Sequence, residues 1–356
     1  MTTASDEHST ALLEQVTREM LDDVAGALEP GEIDRPLLRV FTEAELLRLG
    51  VPEDAGGSGG GVREASTVVR LAAEYAAQVP VAEGLVAAWL LAAAGLPLPD
   101  GVLTSSAHVG GGPLVEGRHT GPLRRVAYGR HADHVVALLP TEDGHAVVDA
   151  PVAGAEVVHG ADLAGEPRDE ITPVRVRVTP VSEAVARRAL LLARLHAAST
   201  IAGAASRATA LAVRHAGERV QFGRPLAAFQ AIQQQLAQAA AEAAAARCAA
   251  AEAVVAVAAV DEDAEHGGDL VLAELAVSAA KLRCNRAAGL VSAVTHQVHG
   301  AIGVTLEHAL HRSTTLMLAR RDELGADVDL GAALVGAVAR RIAASPESGL
   351  WPALAG

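Results

Sequence analysis

Apolar positions along the first third of the chain recur at helical spacing. In "STALLEQVTREMLDDVAGALE" (9–29), Leu12, Leu13, Val16, Met20, Leu21 and Val24 fall near one stripe, with Ser9 as a candidate N-cap. "TEAELLRLG" (42–50) opens on a capping-box pattern, Thr42 with Glu45, and stops at Gly50. "VPEDAGGSGGG" (51–61) holds five glycines within six residues, which predicts a loop. Two more helices are expected over about 62–77 and 80–94. From about 103 the pattern shortens to Val-rich runs punctuated by Gly, Pro and Asp. They are "HVVALLP" (134–140), "HAVVDAP" (145–151), "AEVVHG" (155–160) and "VRVRVTP" (174–180), and they predict a small antiparallel β domain. Long helical segments then resume at about 184–216, 226–262, 269–299 and 305–320, with a last helix at about 330–344. Gly267 and Gly268 supply the turn between the second and third. The expected fold is mostly α with a small β domain. It divides into an N-terminal helical domain (1–102), a middle β domain (103–182) and a C-terminal helical bundle (183–356).

At 356 residues the chain exceeds one ordinary core, and 50% hydrophobic content is enough to fill two or three. Aromatics make up only 2%, so small side chains must let the helices approach closely. A formal net charge of -14 argues against nucleic acid, because no basic stripe is available to displace counterions from phosphates. Cys248 and Cys284 lie in helical segments without metal-ligand spacing. The N-terminal "MTTASDEHST" has no apolar core of a signal peptide, and "LVAAWLLAAAG" (85–95) is too short to span a bilayer. These features lead us to expect a reduced, cytoplasmic protein with no membrane segment.

Two stretches interrupt the bundle pattern. In "RVQFGRP" (219–225), Gly223 and Pro225 separate one helix from the next, leaving backbone N–H groups at the start of the second. Arg219 and Arg224 beside them suit a phosphate or pyrophosphate, and Phe222 offers a face for a flat ring. The alternative is a plain helix corner with a Phe plug and surface arginines. In "HQVHGAIGVTLEHALHR" (296–312), Gly300 and Gly303 break the helix and Thr305 is placed to cap the next one. His296, His299, His308 and His311 share helix faces, but no Asp or Glu other than Glu307 is placed to complete a ligand set. We therefore assign no metal and read them as surface or interface histidines. Gly56 to Gly61 is a tight turn rather than a phosphate cradle, since it neither follows a strand nor opens a dinucleotide fold.

Together these stretches resemble the acyl-CoA dehydrogenase family. "HAGERVQFGRPLAAFQAIQQQLAQ" (215–238) is similar to its Arg-x-Gln-Phe-Gly signature with the following Phe-Gln helix. "QVHGAIGVTLEHALHR" (297–312) resembles its second signature, Gln-x-x-Gly-Gly-x-Gly with a downstream Glu and Arg. "VPEDAGGSGG" (51–60) resembles its N-terminal loop, and "ADLAGEPRDEI" (161–171) is similar to a β-domain segment of bacterial members. The resemblance implies the family's helix–β–helix architecture and FAD as cofactor, bound between subunits of a dimer or a dimer of dimers. It implies that Arg219 holds the FAD pyrophosphate, that Phe222 packs on the adenine portion and that Gln230 hydrogen-bonds the dinucleotide. Gln297 and the backbone around Gly300 and Gly303 would contact the ADP part in the neighbouring subunit. The reaction implied is α,β-dehydrogenation of an acyl-CoA thioester in lipid metabolism, with an electron-transfer flavoprotein as acceptor.

The departures from the family bear on catalysis. Counted without gaps from Gln297, the usual catalytic glutamate position holds Leu324, and Glu323 is one residue off. The alternative base position, counted back from Arg219, holds Ala193. The Thr-Glu-Pro-x-x-Gly-Ser-Asp strand over the flavin has no counterpart between Pro99 and Arg124, and the β domain is short. His215 replaces the aromatic before the Arg motif, and Ala301 replaces the second glycine of the Gly-Gly pair. Two readings compete: an active dehydrogenase with Glu323 recruited as base, working as a homodimer or homotetramer, or a non-catalytic subunit of a heterotetramer that completes the FAD site across an interface. A helical interaction protein without flavin is a third.

Overall fold

The computed structural model describes residues 4–24, 29, 31–106, 114–115, 118–119, 121–262, 269–305 and 308–344. The chain divides into two compact units, residues 1–71 with 77–193, and residues 72–76 with 194–356.

The first unit begins with α1 (Ala4–Val24), so Ser9 lies inside the helix rather than at its cap. The helix expected at 42–50 is absent. In its place α2 spans Arg35–Glu43, and Glu45 takes a left-handed φ of 56° before a short 3-10 turn over Leu46–Arg48. The start of α2 is set by Asp34, whose buried carboxylate accepts from Leu37 N at 2.9 Å, and by Pro36 in the first turn. The Thr42 hydroxyl donates back to Leu38 O at 2.8 Å, so it closes this helix instead of opening another. The glycine-rich loop follows, and then α3 (Val62–Glu74) and α4 (Val81–Ala93).

Strands occupy the rest of this unit: β1 (Leu103–Ser105), β2 (Leu114–Val115), β3 (Arg118–His119), β4 (Leu123–Ala127), β5 (His134–Thr141), β6 (Gly144–Pro151), β7 (Glu156–Val158), β8 (Arg168–Thr172) and β9 (Arg177–Val181). They form sheets ordered β1-β5-β6-β9 and β4-β8-β7, with β2-β3 as a separate ribbon. Among the described residues all pairings of these strands are antiparallel except β1 with β5. Leu123, Val126, Val135, Leu139, Val148 and Ile171 from the two larger sheets share one core. The sequence pattern hid β8 ("RDEIT") because its Arg168 and Asp169 are buried, and β4 ("LRRVA") because exposed Arg124 and half-buried Arg125 interrupt its short apolar run. Asp169 is fully buried and accepts from the backbone N–H groups of Arg130 (2.8 Å) and Gly160 (3.0 Å) as well as from the Arg130 guanidinium. Burial pushes the Asp169 carboxyl up, but these donors outweigh it and hold the group below its ordinary range. Arg168 meets Glu83, Asp162 and Glu166 at 3.2–3.5 Å. Between Pro99 and Arg124, residues 107–113, 116–117 and 120 lie outside the described residues.

Helix α5 (Glu183–Glu218) belongs to both units. The second unit continues with a tiny antiparallel ribbon, β10 (Val220–Gln221) and β11 (Arg224–Pro225). It then adds α6 (Gln230–Glu262), α7 (Leu270–His299), α8 (Leu310–Asp322) and α9 (Asp327–Ala344). α7 is capped by Asp269, which accepts from Leu272 N at 2.9 Å, and it packs against α6, α8 and α9. Gly267 and Gly268 lie outside the described residues. α5 and α6 are both long and apolar enough to cross a bilayer, by length and composition only. The apolar window of α5 is 78% buried, as in a core helix, whereas that of α6 is 33% buried and leaves an alanine-rich face uncovered within this chain.

Candidate functional site

The corner between α5 and α6 is built on a strained turn. β10 and β11 pair Val220 with Pro225 and Gln221 with Arg224 across Phe222 and Gly223. Both central residues have positive φ, 52° for Phe222 and 77° for Gly223. Two positive φ values suit the right-handed twist of a two-residue hairpin, but a β-carbon in that region costs about 1 kcal/mol or more. Phe222 also leaves 90% of its surface exposed. A strained, exposed phenylalanine in a chain with three is not explained by packing, especially as Phe41 is fully buried. The Phe222 and Phe229 rings meet edge to face at 6.2 Å, and the Arg224 guanidinium lies 4.0 Å from the Phe229 centroid. Arg219 O accepts from Leu226 N at 2.8 Å, which closes the corner, and Gln230 is the first residue of α6. Exposed Arg219 and Arg224 therefore stand beside the first turn of a long helix, a setting that suits an anion.

The second stretch packs against the first. Ala212 and Ala216 of α5, Leu236 of α6 and Val298 of α7 form a buried cluster with Leu226 and Ile232 against it. α7 ends at Gly300, whose φ of 65° turns the chain into a 3-10 segment over Gly300–Val304. A β-carbon on Gly303 would lie 2.8 Å from His299 Cβ and 3.1 Å from Leu310 Cδ2, so only glycine fits this approach. Gln297 is exposed on the last turn of α7. Thr305 does not cap the next helix, because its hydroxyl donates to Ile302 O at 2.9 Å and α8 begins only at Leu310. The His215 and His299 rings stack with centroids 4.4 Å apart, and His308 meets His299 at 4.7 Å. The buried cluster and the His215–His299 stack thus join the Arg219–Gln230 corner to the Gln297–Gly303 turn.

Glu323 lies elsewhere. It follows α8, whose 13 residues separate it from the histidine cluster by about 20 Å. It is 4% exposed and accepts from Arg320 Nη1 at 3.1 Å, in a pair buried on both sides. Leu324 has a left-handed φ of 61°, and its carbonyl accepts from Arg194 Nε at 3.0 Å. Fully buried Lys281 donates to Asn285 Oδ1 at 2.6 Å and to Arg321 O at 3.1 Å. Asn285 Nδ2 in turn donates to Asp327 Oδ1 at 3.1 Å. Burial pulls the Lys281 ammonium down to about 8, opposed by Cys284, Glu323, Asp327 and Asp322. Burial pushes the neighbouring Cys284 thiol up to about 12. This acid-base cluster was missed in the sequence, where the only sign was a lone lysine in the apolar run "LAVSAAKLRC".

Residues 183–326 match the family described as acyl-CoA dehydrogenase, C-terminal domain. Acyl-CoA dehydrogenase FadE34 of Mycobacterium tuberculosis is 30% identical over 299 residues, covering 81% of this chain and 40% of that protein. The chain therefore spans less than half the length of that relative. FadE27 of the same organism is 29% identical over 309 residues, covering 78% of this chain and 81% of that protein. Among solved structures, a Tcur3481-Tcur3483 steroid ACAD variant superposes with a TM-score of 0.82 at 24% identity, covering 95% of this chain and 99% of that one. The ChsE4-ChsE5 complex of M. tuberculosis gives 0.79 at 24% identity, covering 97% and 99%. At these identities the structural likeness shows the fold.

Proposed function

Because the chain belongs to the acyl-CoA dehydrogenase family, we propose that it is the non-catalytic subunit of a heteromeric acyl-CoA dehydrogenase, which completes an FAD site at a subunit boundary. The observation that carries this reading is the state of Glu323. The carboxylate nearest the family's base position is buried and committed to Arg320, while Leu324 occupies the position itself. A base must reach the substrate's α-proton, within hydrogen-bond distance. A carboxylate locked in a buried ion pair does not meet that condition.

The residues of the corner fit the dinucleotide end of FAD by their chemistry. Arg219 and Arg224 with the α6 N-terminus supply donors for a pyrophosphate, Phe222 supplies an exposed ring face, and Gln230 and Gln297 supply amides. When bound, FAD would supply the hydride-accepting chemistry, and a partner chain would supply the base and hold the acyl-CoA thioester. The residues of this chain would bind, orient and shield the cofactor. The exposed alanine-rich face of α6 and the exposed Phe222 support a second subunit as their cover. The neighbouring ChsE4-ChsE5 structure is a complex of two named chains, which supports a heteromer, and an electron-transfer flavoprotein is the proposed electron acceptor.

The test is Glu323→Gln in the assembled complex. Breaking the buried pair should cost about 3 kcal/mol of stability and leave the rate of acyl-CoA oxidation unchanged. Loss of turnover without loss of stability would instead make Glu323 the base.

A further inference from the structure

We propose that the clustered imidazoles of His215, His299 and His308 form a proton-sensitive joint, which ties the α5–α6 corner to the turn after α7 when neutral and releases the two when protonated. The rings come from three places, the end of α5, the end of α7 and the approach to α8. Their centroid distances are 4.4 Å for His215–His299, 4.7 Å for His299–His308 and 6.4 Å for His215–His308. Neutral imidazoles pack at these distances as flat apolar rings, whereas two imidazolium ions there repel each other.

Hydrogen bonds fix the resting tautomers. His299 Nδ1 lies 2.7 Å from Thr295 O, which can only accept, so Nδ1 carries the hydrogen and Nε2 holds a lone pair. His299 is 6% exposed, and its Nε2 has no hydrogen-bond partner among the described residues. A proton placed there would be a buried positive donor without an acceptor. His296 repeats the arrangement one turn earlier. Its Nε2 meets Thr314 Oγ1 at 2.8 Å, and the Thr314 hydroxyl is directed to backbone carbonyls, so His296 donates and its buried Nδ1 has no partner among the described residues.

The surroundings oppose protonation. The charged and titratable groups facing the cluster are Arg214, Glu218 and Arg219 on α5, His296 on α7 and His311 on α8, and only Glu218 favours it. Burial, then neighbouring positive groups, hold His215, His296 and His308 below the ordinary histidine value. Burial pulls His299 down to about 4, the Thr295 carbonyl opposing and the other histidines adding to it. A histidine depressed in the folded state contributes stability above its unfolded pKa of about 6.5 and loses it as pH falls toward the folded value. The joint therefore holds at neutral pH and gives way between about pH 6.5 and pH 4. The further consequence, acid-driven loss of the cofactor surface, rests on the FAD reading above, whereas the joint itself does not.

The test is hydrogen exchange on the full chain, with rates normalised to the intrinsic pH dependence. Peptides covering 212–232 and 294–304 should lose protection together, by about tenfold or more between pH 7 and pH 5, while α9 stays protected. His299→Phe and His215→Phe each keep a flat ring and remove a titrating group, so each should move the loss to lower pH. His215 is half-exposed, so its variant keeps the test valid where His299→Phe does not fold. Protection that stays flat to pH 5, or that falls identically in wild type and His215→Phe, overturns the joint. Calorimetry with ADP at pH 7.5 separates the two ideas. Acid opening of the chain, with no ADP binding by the assembled complex, upholds the joint and removes the FAD reading.

Discussion

At the scale of single residues, buried charge in the second unit is concentrated around one turn. Lys281, Asn285 and Arg194 direct donors at the carbonyls or side chains of residues 321–327, and Arg320 holds Glu323. Such an arrangement fixes the left-handed Leu324 at a cost, because Lys281 is a fully buried ammonium. Its pKa is pulled by burial from the ordinary lysine value to about 8. Below about pH 8 both the folded and the unfolded chain hold this proton, and the burial penalty is fully present. Between about pH 8 and pH 10.5 the unfolded chain holds more protons, so stability should rise with pH. Denaturant titrations at pH 7 and pH 9.5 should show this rise in the wild type and not in Lys281→Met. Equal pH dependence in the two would mean that Lys281 does not titrate as a buried group.

At the scale of elements, long amphipathic or alanine-rich runs were legible because their period is repeated many times. α5, α6 and α7 sit within a few residues of the segments expected from the sequence. Short elements whose pattern competes with charge were not. α2 carries only Leu37, Leu38 and Phe41 inward, and Pro36 disguises its start. β8 reads as polar because its Arg168 and Asp169 are satisfied inside, and β4 because Arg124 and Arg125 break its apolar run. Of the candidate site, the corner and the glycine turn could be picked out in the sequence, since scarce Phe and Gly interrupt alanine there. The His215–His299 contact joins residues 84 positions apart, and local spacing cannot reveal it. The ribbon gives an element-scale prediction. Phe222→Gly should relieve the positive-φ strain and hold or raise the thermal midpoint, yet lower the FAD content of the assembled complex. Unchanged FAD content would show that the exposed ring serves another purpose.

At the scale of the whole molecule, the second unit carries two separated centres. The surface corner at the His end of α8 has the chemistry of an anion and flat-ring site. The buried cluster at the other end holds Glu323 in an ion pair with Arg320. A helix as apolar as α6 with only 33% of that window covered is at odds with a chain that works alone. The most direct test of the central claim is flavin absorbance of the purified chain, alone and co-expressed with a catalytic acyl-CoA dehydrogenase chain. The account predicts a colourless chain alone, and a yellow complex whose flavin is bleached by acyl-CoA and whose turnover survives Glu323→Gln. A chain that is yellow by itself, oxidises acyl-CoA and loses that activity on Glu323→Gln would contradict it.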